Sequence, residues 1–236
     1  MTTTPTLVRT RIWDLPTRLF HWALAGCVPL LLVCVQLGGD FIEWHMRLGQ
    51  FVLALLVFRV LWGLVGGHWS RFRQFLYSPL HTWHYVRGQG HVYDTVGHNP
   101  LGAWSVFAML GVLLAQAVLG LFTYDDILFG GPLSAWADNS TVAWASSWHR
   151  WLEPVILGLL GLHLLAIALH SMRRRAHAAS IVPAMLHGDK RLPVGTPYTR
   201  DCISQRLLAL ALFAASCALT YGFPAYLLRS LTASTL

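Results

Sequence analysis

The sequence predicts an all-α integral membrane protein, with a four-helix transmembrane bundle followed by a fifth transmembrane helix. Of its 236 residues, 55% are hydrophobic and only 11% are charged, whereas about 25% of the residues in a soluble domain are charged. The apolar residues fall in long runs, and about 20 helical residues cross the hydrocarbon core of a bilayer. A helix satisfies its backbone groups within one segment, so each run is expected to span as a helix.

Five apolar runs define the predicted spans: residues 19–37, 46–66, 101–123, 150–170 and 207–228. Asn99 and Pro100 precede the third run, and a capping residue followed by proline is typical of a helix start. The fourth run has an early Pro154, which the first turns of a helix tolerate. The fifth run has Gly222 and Pro224 near its end, so the sequence leaves that boundary open.

The connecting segments alternate between basic and acidic. The basic ones are the N-terminus and the segments after the second and fourth runs, which carry Arg9, Arg11, Arg18, Arg71, Arg73, Arg87, Arg173, Arg174 and Arg175. The other two carry Asp40, Glu43, Asp125, Asp126 and Asp138. Cytoplasmic loops carry the excess of Lys and Arg. We therefore expect a multi-pass membrane protein with a cytoplasmic N-terminus and cytoplasmic segments at 67–100 and 171–206.

Charge and cysteine usage argue against two classes of function. The net charge of +7 comes from short segments beside the spans, unlike the continuous basic surface of a nucleic-acid-binding domain. The four cysteines, Cys27, Cys34, Cys202 and Cys217, include no Cys-x-x-Cys-His motif, so covalent attachment of a c-type haem is not expected. Membrane lipid, and not nucleic acid, is the expected environment of the chain.

Histidines at membrane depth are the candidate functional residues, because an ionisable residue within a span is costly and is functional by default. His149 and His163 both belong to the fourth span, fourteen residues apart. They lie about 40° apart around the helix and about 21 Å apart along it. This arrangement suits two stacked flat cofactors, each bound at one axial position.

Orientation selects the partners of these two histidines. The first span starts inside, which puts His21 at the depth of His163, and the second starts outside, which puts His45 at the depth of His149. The predicted pairs are therefore His21–His163 and His45–His149. His163 lies nearly three turns from the nearest arginines and His21 only about one turn, a mismatch that a helix tilt of about 20° would largely absorb. His170 lies on the same face as His163 and competes with it.

Two arginines accompany these layers. Arg59 lies in the middle of FVLALLVFRVLWGLVG, where a guanidinium needs an anionic partner, and it falls at the depth of the inner pair. No Asp or Glu lies nearby in the spans, so a haem propionate is the expected carboxylate for a bidentate pair. Arg47 is a similar candidate for the outer layer, with a lipid headgroup contact as the equal alternative.

A metal-ion transporter is the main rival at the level of the sites. Zinc and copper sites cluster their ligands, often with Cys or carboxylate, whereas each predicted layer here has two imidazoles. Two axial nitrogens are what a low-spin haem iron needs, because the porphyrin supplies the other four. The sequence therefore predicts a haem-binding bundle with two non-covalent b haems. The iron ligands are His21, His45, His149 and His163, and the cofactor contacts are Arg59 and Arg47.

Several motifs also carry a family resemblance. The segments VRTRIWDLPTRLFHW, EWHMRLG, FRVLWG and GHNPLG, together with His149 and His163, resemble the bacterial cytochrome b561 family, which includes the membrane cytochrome b subunit of nickel–iron hydrogenases. The resemblance covers residues 8–175 and implies two b haems held by histidines on helices 1, 2 and 4, the set that depth also selects. The role of His98 in GHNPLG stays open. We expect a dihaem cytochrome b domain at 8–175, then a cytoplasmic loop and the fifth transmembrane helix at 176–236.

The leading functional hypothesis is transmembrane electron transfer. The resemblance implies exchange between the quinone pool and a partner redox protein, often a periplasmic c-type cytochrome, with quinone as a candidate substrate. One alternative is an anchor or cytochrome b subunit of a larger oxidoreductase such as a hydrogenase. An alternative from another class is a haem-free membrane transporter. The sequence predicts no catalytic residue and does not separate an electron-transfer protein from a quinol/quinone oxidoreductase.

Overall fold

Five long apolar helices dominate the structure. The computed structural model describes residues 6–125, 128–173 and 181–227. Within these residues, five helices are long and apolar enough to cross a membrane, which confirms the five predicted spans. The helices are α1 (Leu15–Leu37), α2 (Phe41–Val65), α3 (Pro79–Val86), α4 (Pro100–Gly120), α5 (Asn139–Arg173), α6 (Ile181–His187) and α7 (Ile203–Cys217). The spanning helices are α1, α2, α4, α5 and α7.

Capping residues fix where the helices start. The Asn99 side chain accepts a hydrogen bond from the Gly102 amide at 2.7 Å, which confirms the predicted cap of α4. Asp138 caps α5 in the same way by accepting from the Thr141 amide at 2.6 Å. As a result α5 starts at Asn139 and not near residue 150, because the mixed polar turns after the cap are helical although they are too polar to extend the apolar run.

The last spanning helix widens before it ends. The regular turns of α7 stop at Cys217 and are followed by a wide π-type turn at Ala218–Gly222, after which the chain is helical again to residue 227. Pro224 has no backbone N–H and cannot donate to the carbonyl four residues earlier, so a local change of hydrogen-bond register is expected here. The proline that left the end of the fifth predicted span open therefore also explains the irregular turn near the end of this helix.

The chain forms two compact units. The first comprises Met1–Leu19, Val60–Ala108 and Leu159–Ala209. In it, strand β1 (Leu7–Arg11) pairs antiparallel with strand β2 (Asp189–Pro193), an element that the sequence did not predict. A small buried core lies beside the strands and consists of Ile12, Trp13, Trp69, Val96 and Ala184.

A buried carboxylate connects several segments of this first unit. Asp14 is only 1% exposed. Its Oδ1 accepts from the Thr17 amide at 2.8 Å, which caps α1, and from Trp62 Nε1 at 3.2 Å. Its Oδ2 accepts from the Ser70 hydroxyl at 2.7 Å. Because charge-assisted hydrogen bonds are about twice as strong as neutral ones, Asp14 holds the start of α1, the end of α2 and the following turn together.

The second unit comprises Phe20–Arg59, Met109–Gly158 and Leu210–Leu236. Its core contains residues from α1, α2, α4 and α5, namely Val28, Val52, Leu56, Leu113 and Ile156. Phe213 of α7 packs edge-on against Phe51 and Phe58 of α2, with ring centroids 6.1 and 6.0 Å apart. The fifth spanning helix therefore packs on α2 within this unit.

Some of the predicted organisation lies beyond what the structure describes. Arg174, Arg175 and Asp126, which contribute to the predicted orientation, fall outside the described residues. The predicted domain boundary at 175/176 falls there as well. The orientation of the chain and this domain division therefore stay predictions.

Candidate functional site

Two histidine side chains lie close together in the second unit. His45 of α2 and His149 of α5 have ring centroids 6.2 Å apart and ring planes at 85°. Both imidazoles are half-buried. His45 lies in the second turn of α2, after the glycine turn at Gly38 and Gly39, where φ is +64° and +56°. The structure thus brings together one of the two pairs that depth predicts.

Hydrogen bonds fix the tautomer of both rings. His45 Nδ1 lies 3.0 Å from the Leu31 carbonyl oxygen, and His149 Nδ1 lies 3.0 Å from the Gln116 carbonyl oxygen. A carbonyl oxygen can only accept, so each Nδ1 carries a proton, and Nε2 is the ring nitrogen left to bind a metal. This is the arrangement of a metal-ligating histidine whose other ring nitrogen is held by the protein.

The spacing of the two rings fits a single metal ion between them. Imidazole nitrogen lies about 2.0 Å from a bound metal, so two imidazoles coordinated on opposite sides of one ion have ring centroids about 6.3 Å apart. The observed separation is 6.2 Å. Two imidazoles would supply two of the ligands of a haem iron, whose other ligands a porphyrin would provide, so His45 and His149 could hold a haem b. The residues present therefore fit a bis-histidine haem.

Gln116 and Gly120 of α4 position His149, and sequence reasoning missed both. The Gln116 side-chain amide donates to the His149 carbonyl at 2.9 Å, so backbone and side chain of Gln116 both hold this turn of α5. A Cβ at Gly120 would lie 3.0 Å from His149 Cε1, so glycine is needed for the imidazole to approach α4. A signal was available, since Gln116 is a polar residue deep inside the third apolar run.

The other predicted ligands are not brought together within one unit. His163 belongs to the first unit and His21 to the second. His163 and His170 are half-buried, whereas Leu162 and Leu164 beside His163 are exposed. The two histidines therefore share the inward face of α5, and the competition between them stays open. The pair His21–His163 stays a prediction.

The two arginines have different environments. Arg59 is almost fully buried, with 3% of its surface exposed. Arg47 is exposed, forms a salt bridge to Glu43 one turn earlier and lies over the Trp44 ring, 5.5 Å from its centroid. Any contact of Arg47 with a cofactor would compete with Glu43. The propionate roles of both arginines stay predictions.

His98 lies in an aromatic cluster of the first unit. Its ring centroid is 4.5 Å from that of Phe75 and 4.7 Å from that of Trp13. Its carbonyl oxygen accepts from the Tyr77 hydroxyl at 3.2 Å. Burial and the negative charge of Asp94 raise the pKa of Tyr77, so this hydroxyl stays a proton donor at neutral pH. The structure thus shows His98 packed against aromatic rings.

An ion-pair network connects β1 with β2 and with the segment just before α7. Asp189 on β2 binds Arg9 and Arg11 on β1, and Arg11 also reaches Asp201 at 3.0 Å. Burial alone would raise the pKa of Asp201. Hydrogen bonds from Arg206 and from the Leu15 amide, with the nearby arginine charges, outweigh burial and hold that pKa below its ordinary value. Asp201 is therefore ionised at neutral pH.

Comparison with known proteins identifies a family whose model matches most of the chain. The family model described as prokaryotic cytochrome b561 matches residues 12–184. A protein of Bradyrhizobium diazoefficiens named "Probable Ni/Fe-hydrogenase B-type cytochrome subunit" is 23% identical in an alignment of length 220; the match covers 76% of this chain and 85% of that relative. No solved structure matches the chain.

Proposed function

The chain belongs to the prokaryotic cytochrome b561 family, and on that premise we propose that it carries electrons across the bacterial inner membrane through two b haems. Membership and the five spanning helices make the chain a multi-pass membrane cytochrome b of electron transfer, for which haem b is the cofactor. To this we add the number of haems, their ligands and the cytoplasmic location of the N-terminus.

The outer haem is assigned to His45 and His149. The observation that carries this assignment is the 6.2 Å centroid separation of two rings whose Nδ1 atoms are both hydrogen-bonded to backbone carbonyls. A bound haem supplies a one-electron iron couple, and bis-histidine ligation leaves no open position for oxygen chemistry. The carbonyls of Leu31 and Gln116 orient the rings and raise the basicity of the imidazoles. They therefore favour the oxidised state of the outer site.

The inner haem is assigned to His21 and His163. In support, the fourteen-residue spacing on α5 puts His163 about 21 Å from His149 along the same side of the helix. The described helix continues without interruption between these two residues. On α2, Arg59 likewise follows His45 by fourteen residues and is almost fully buried. It is proposed to bind a propionate of the inner haem. A buried cation stabilises an added electron, so the inner site is expected to be the easier one to reduce.

Quinone and a redox protein are the proposed exchange partners. Two sites about 21 Å apart along α5 provide a path between the two faces of the bilayer. The name of the Bradyrhizobium relative refers to a hydrogenase, which favours a second candidate function: a cytochrome b subunit that serves a larger oxidoreductase and has no substrate chemistry of its own. A periplasmic c-type cytochrome is the partner under the first candidate.

Haem content tests the ligand assignment. We expect two haems per purified chain by pyridine haemochrome, and one haem in His45→Ala, in His149→Ala and in the double variant, because both residues serve the same site. His163→Ala should also leave one haem, and combining it with His149→Ala should leave none. His187→Ala is the matched control and should keep two haems, because His187 is an exposed residue at the end of α6. Loss of haem in His170→Ala but not in His163→Ala would show that the inner pair is wrong.

Purification from native membranes separates the candidate functions. Co-purification of a stable catalytic subunit favours the subunit role, and a haem-loaded chain that oxidises quinol by itself favours a free-standing cytochrome. Purified protein without a reduced α-band and without extractable haem would overturn the whole proposal and favour the haem-free transporter.

A further inference from the structure

We infer that α3 is an amphipathic surface helix whose apolar face lies in the interface of an anionic lipid bilayer. The apolar face is defined by Leu76, Leu80, Trp83 and Val86. This inference concerns the segment between α2 and α4 and does not depend on the haem ligands. It requires only that α2 and α4 span the membrane.

The apolar face is exposed although its residues are large and apolar. Leu76, Leu80, Trp83 and Val86 are between 53% and 73% exposed. At 100° per residue, the three members on α3 occupy a stripe about 120° wide. Such a face on a surface helix is typical of one that is buried at the boundary between headgroups and acyl chains.

The opposite face of α3 is fixed, so the apolar face cannot turn inward. His81 Nε2 lies 3.0 Å from an oxygen of Asp94, and the His81 ring stacks on that of Tyr77 with centroids 5.0 Å apart. Thr82 accepts a hydrogen bond from Trp104 Nε1 of α4 at 3.0 Å. These contacts come from residues of the first unit on both sides of α3. They hold the helix against the start of α4 and direct the apolar face away from it.

The position of α3 between two spanning helices indicates that lipid covers its apolar face. The segment that contains α3 leaves α2 at Val65 and enters α4 at Pro100. Both residues end apolar spanning helices, so both are held near a bilayer surface. Trp83 is the residue type that is enriched at headgroup level. Lipid is therefore always within reach of this face.

Charge selects an anionic surface. Residues 66–99 contain Arg71, Arg73 and Arg87 against a single acid, Asp94, a net charge of +2 with neutral histidines. Asp94 is turned inward to His81 and to the His91 amide. Arg87 lies over the Trp83 ring, 4.4 Å from its centroid, so a cation borders the apolar face. Basic residues beside an apolar face are attracted to anionic headgroups.

Spin labels on the haem-loaded full chain test the inference. One label replaces Leu80 (Leu80→Cys), and the matched control replaces Arg191 on β2 (Arg191→Cys), which is also exposed. Both are placed in a background whose four cysteines are changed to alanine. The chain is reconstituted in phosphatidylcholine nanodiscs with or without phosphatidylglycerol, and collision with oxygen is compared with collision with a water-soluble nickel complex.

We expect the Leu80→Cys label to collide preferentially with oxygen when phosphatidylglycerol is present, and the Arg191→Cys label to collide preferentially with the nickel complex. Adding Arg73→Gln or Arg87→Gln should weaken insertion. Each change should lower the ratio of membrane-inserted to water-exposed label at Leu80→Cys about fivefold, equivalent to about 1 kcal/mol per basic residue near an anionic surface. A label at position 80 that is as water-accessible as the control would overturn the inference. Equal insertion with and without phosphatidylglycerol, unaffected by the arginine changes, would overturn the anionic preference. Protection that appears only after another protein is added would assign the face to a protein partner.

Discussion

Gly120→Ala is a small change whose effect on the outer haem site can be worked out from the structure. The added Cβ would lie 3.0 Å from His149 Cε1 and 3.4 Å from its Nδ1. Carbon atoms pack best at about 3.5–4.0 Å, so the imidazole must move about 0.5 Å away from α4. Gln116 lies one turn before Gly120 on the same face of α4. The movement therefore lengthens the 3.0 Å hydrogen bond from His149 Nδ1 to the Gln116 carbonyl to about 3.5 Å, where such a bond is nearly lost.

The weaker hydrogen bond should raise one midpoint potential. A hydrogen-bonded Nδ1–H makes the imidazole a more basic ligand, which favours the oxidised iron. A net hydrogen bond contributes about 1 kcal/mol. At about 59 mV per tenfold change for one electron, the rise for the His149 haem is at most about 40 mV. Folding should not suffer, because Gly120 ends α4 without the positive φ that alanine would disfavour.

A redox titration followed at the reduced α-band measures this effect. Gly111→Ala is the matched control, because it makes the same change on the same helix at a position where an added Cβ meets nothing within 4 Å. It should leave both potentials unchanged. A Gly120→Ala chain whose two potentials equal those of the control would refute the idea that the His149–Gln116 contact tunes an iron ligand.

Three further predictions concern charged side chains. Arg59→Leu should lower the midpoint potential of one haem while both haems stay bound, because a buried cation favours the added electron; an unchanged titration would leave Arg59 without its propionate role. Asp14→Ala should lower the free energy of unfolding by about 3 kcal/mol or more, since three buried donors lose their acceptor at about 1–3 kcal/mol each; thermal unfolding checks this, with Asp40→Ala as an exposed control. Asp201 has a lowered pKa, so its stabilising contribution is complete above its ordinary pKa of about 3.9 and is lost as pH falls through the lower folded value. Asp201→Asn should therefore unfold with a weaker pH dependence below about pH 4 than the parent chain, and an identical pH profile would contradict that contribution.

The helices were predictable because the signals for them are local. Apolar runs and charge alternation defined five spans, and the Asn99–Pro100 start of α4 was read from two adjacent residues. The predicted start of α5 at residue 150 is too late, because the helical turns that follow the Asp138 cap are too polar to belong to an apolar run. Helical spacing and orientation predict the pairing of His45 with His149, and the structure places their ring centroids 6.2 Å apart; their role as iron ligands stays a prediction.

Contacts between distant residues could not be predicted in this way. The pairing of β1 with β2 and the hydrogen bonds of Asp14 join segments that carry no local sign of each other. Gln116 shows the intermediate case. A polar residue inside a span signals a function, but only the structure shows that its own carbonyl accepts from an imidazole. Gly120 leaves space for the His149 ring because it has no side chain. The sequence cannot reveal this role, because it does not show which ring lies beside the glycine.

The pairing of β1 with β2 also bears on how the chain is assembled at the ribosome. Arg9 on β1 reaches Asp189 on β2, 180 positions later in the sequence, so β1 is made long before its partner strand. The spanning helices α1, α2, α4 and α5 also precede β2 in the chain, whereas α7 follows it. The N-terminal strand must wait until α5 has been inserted. The first unit is thus expected to close only after β2 has emerged, and a ribosome stalled before residue 189 would hold a chain with four of its five spanning helices made and β1 still unpartnered.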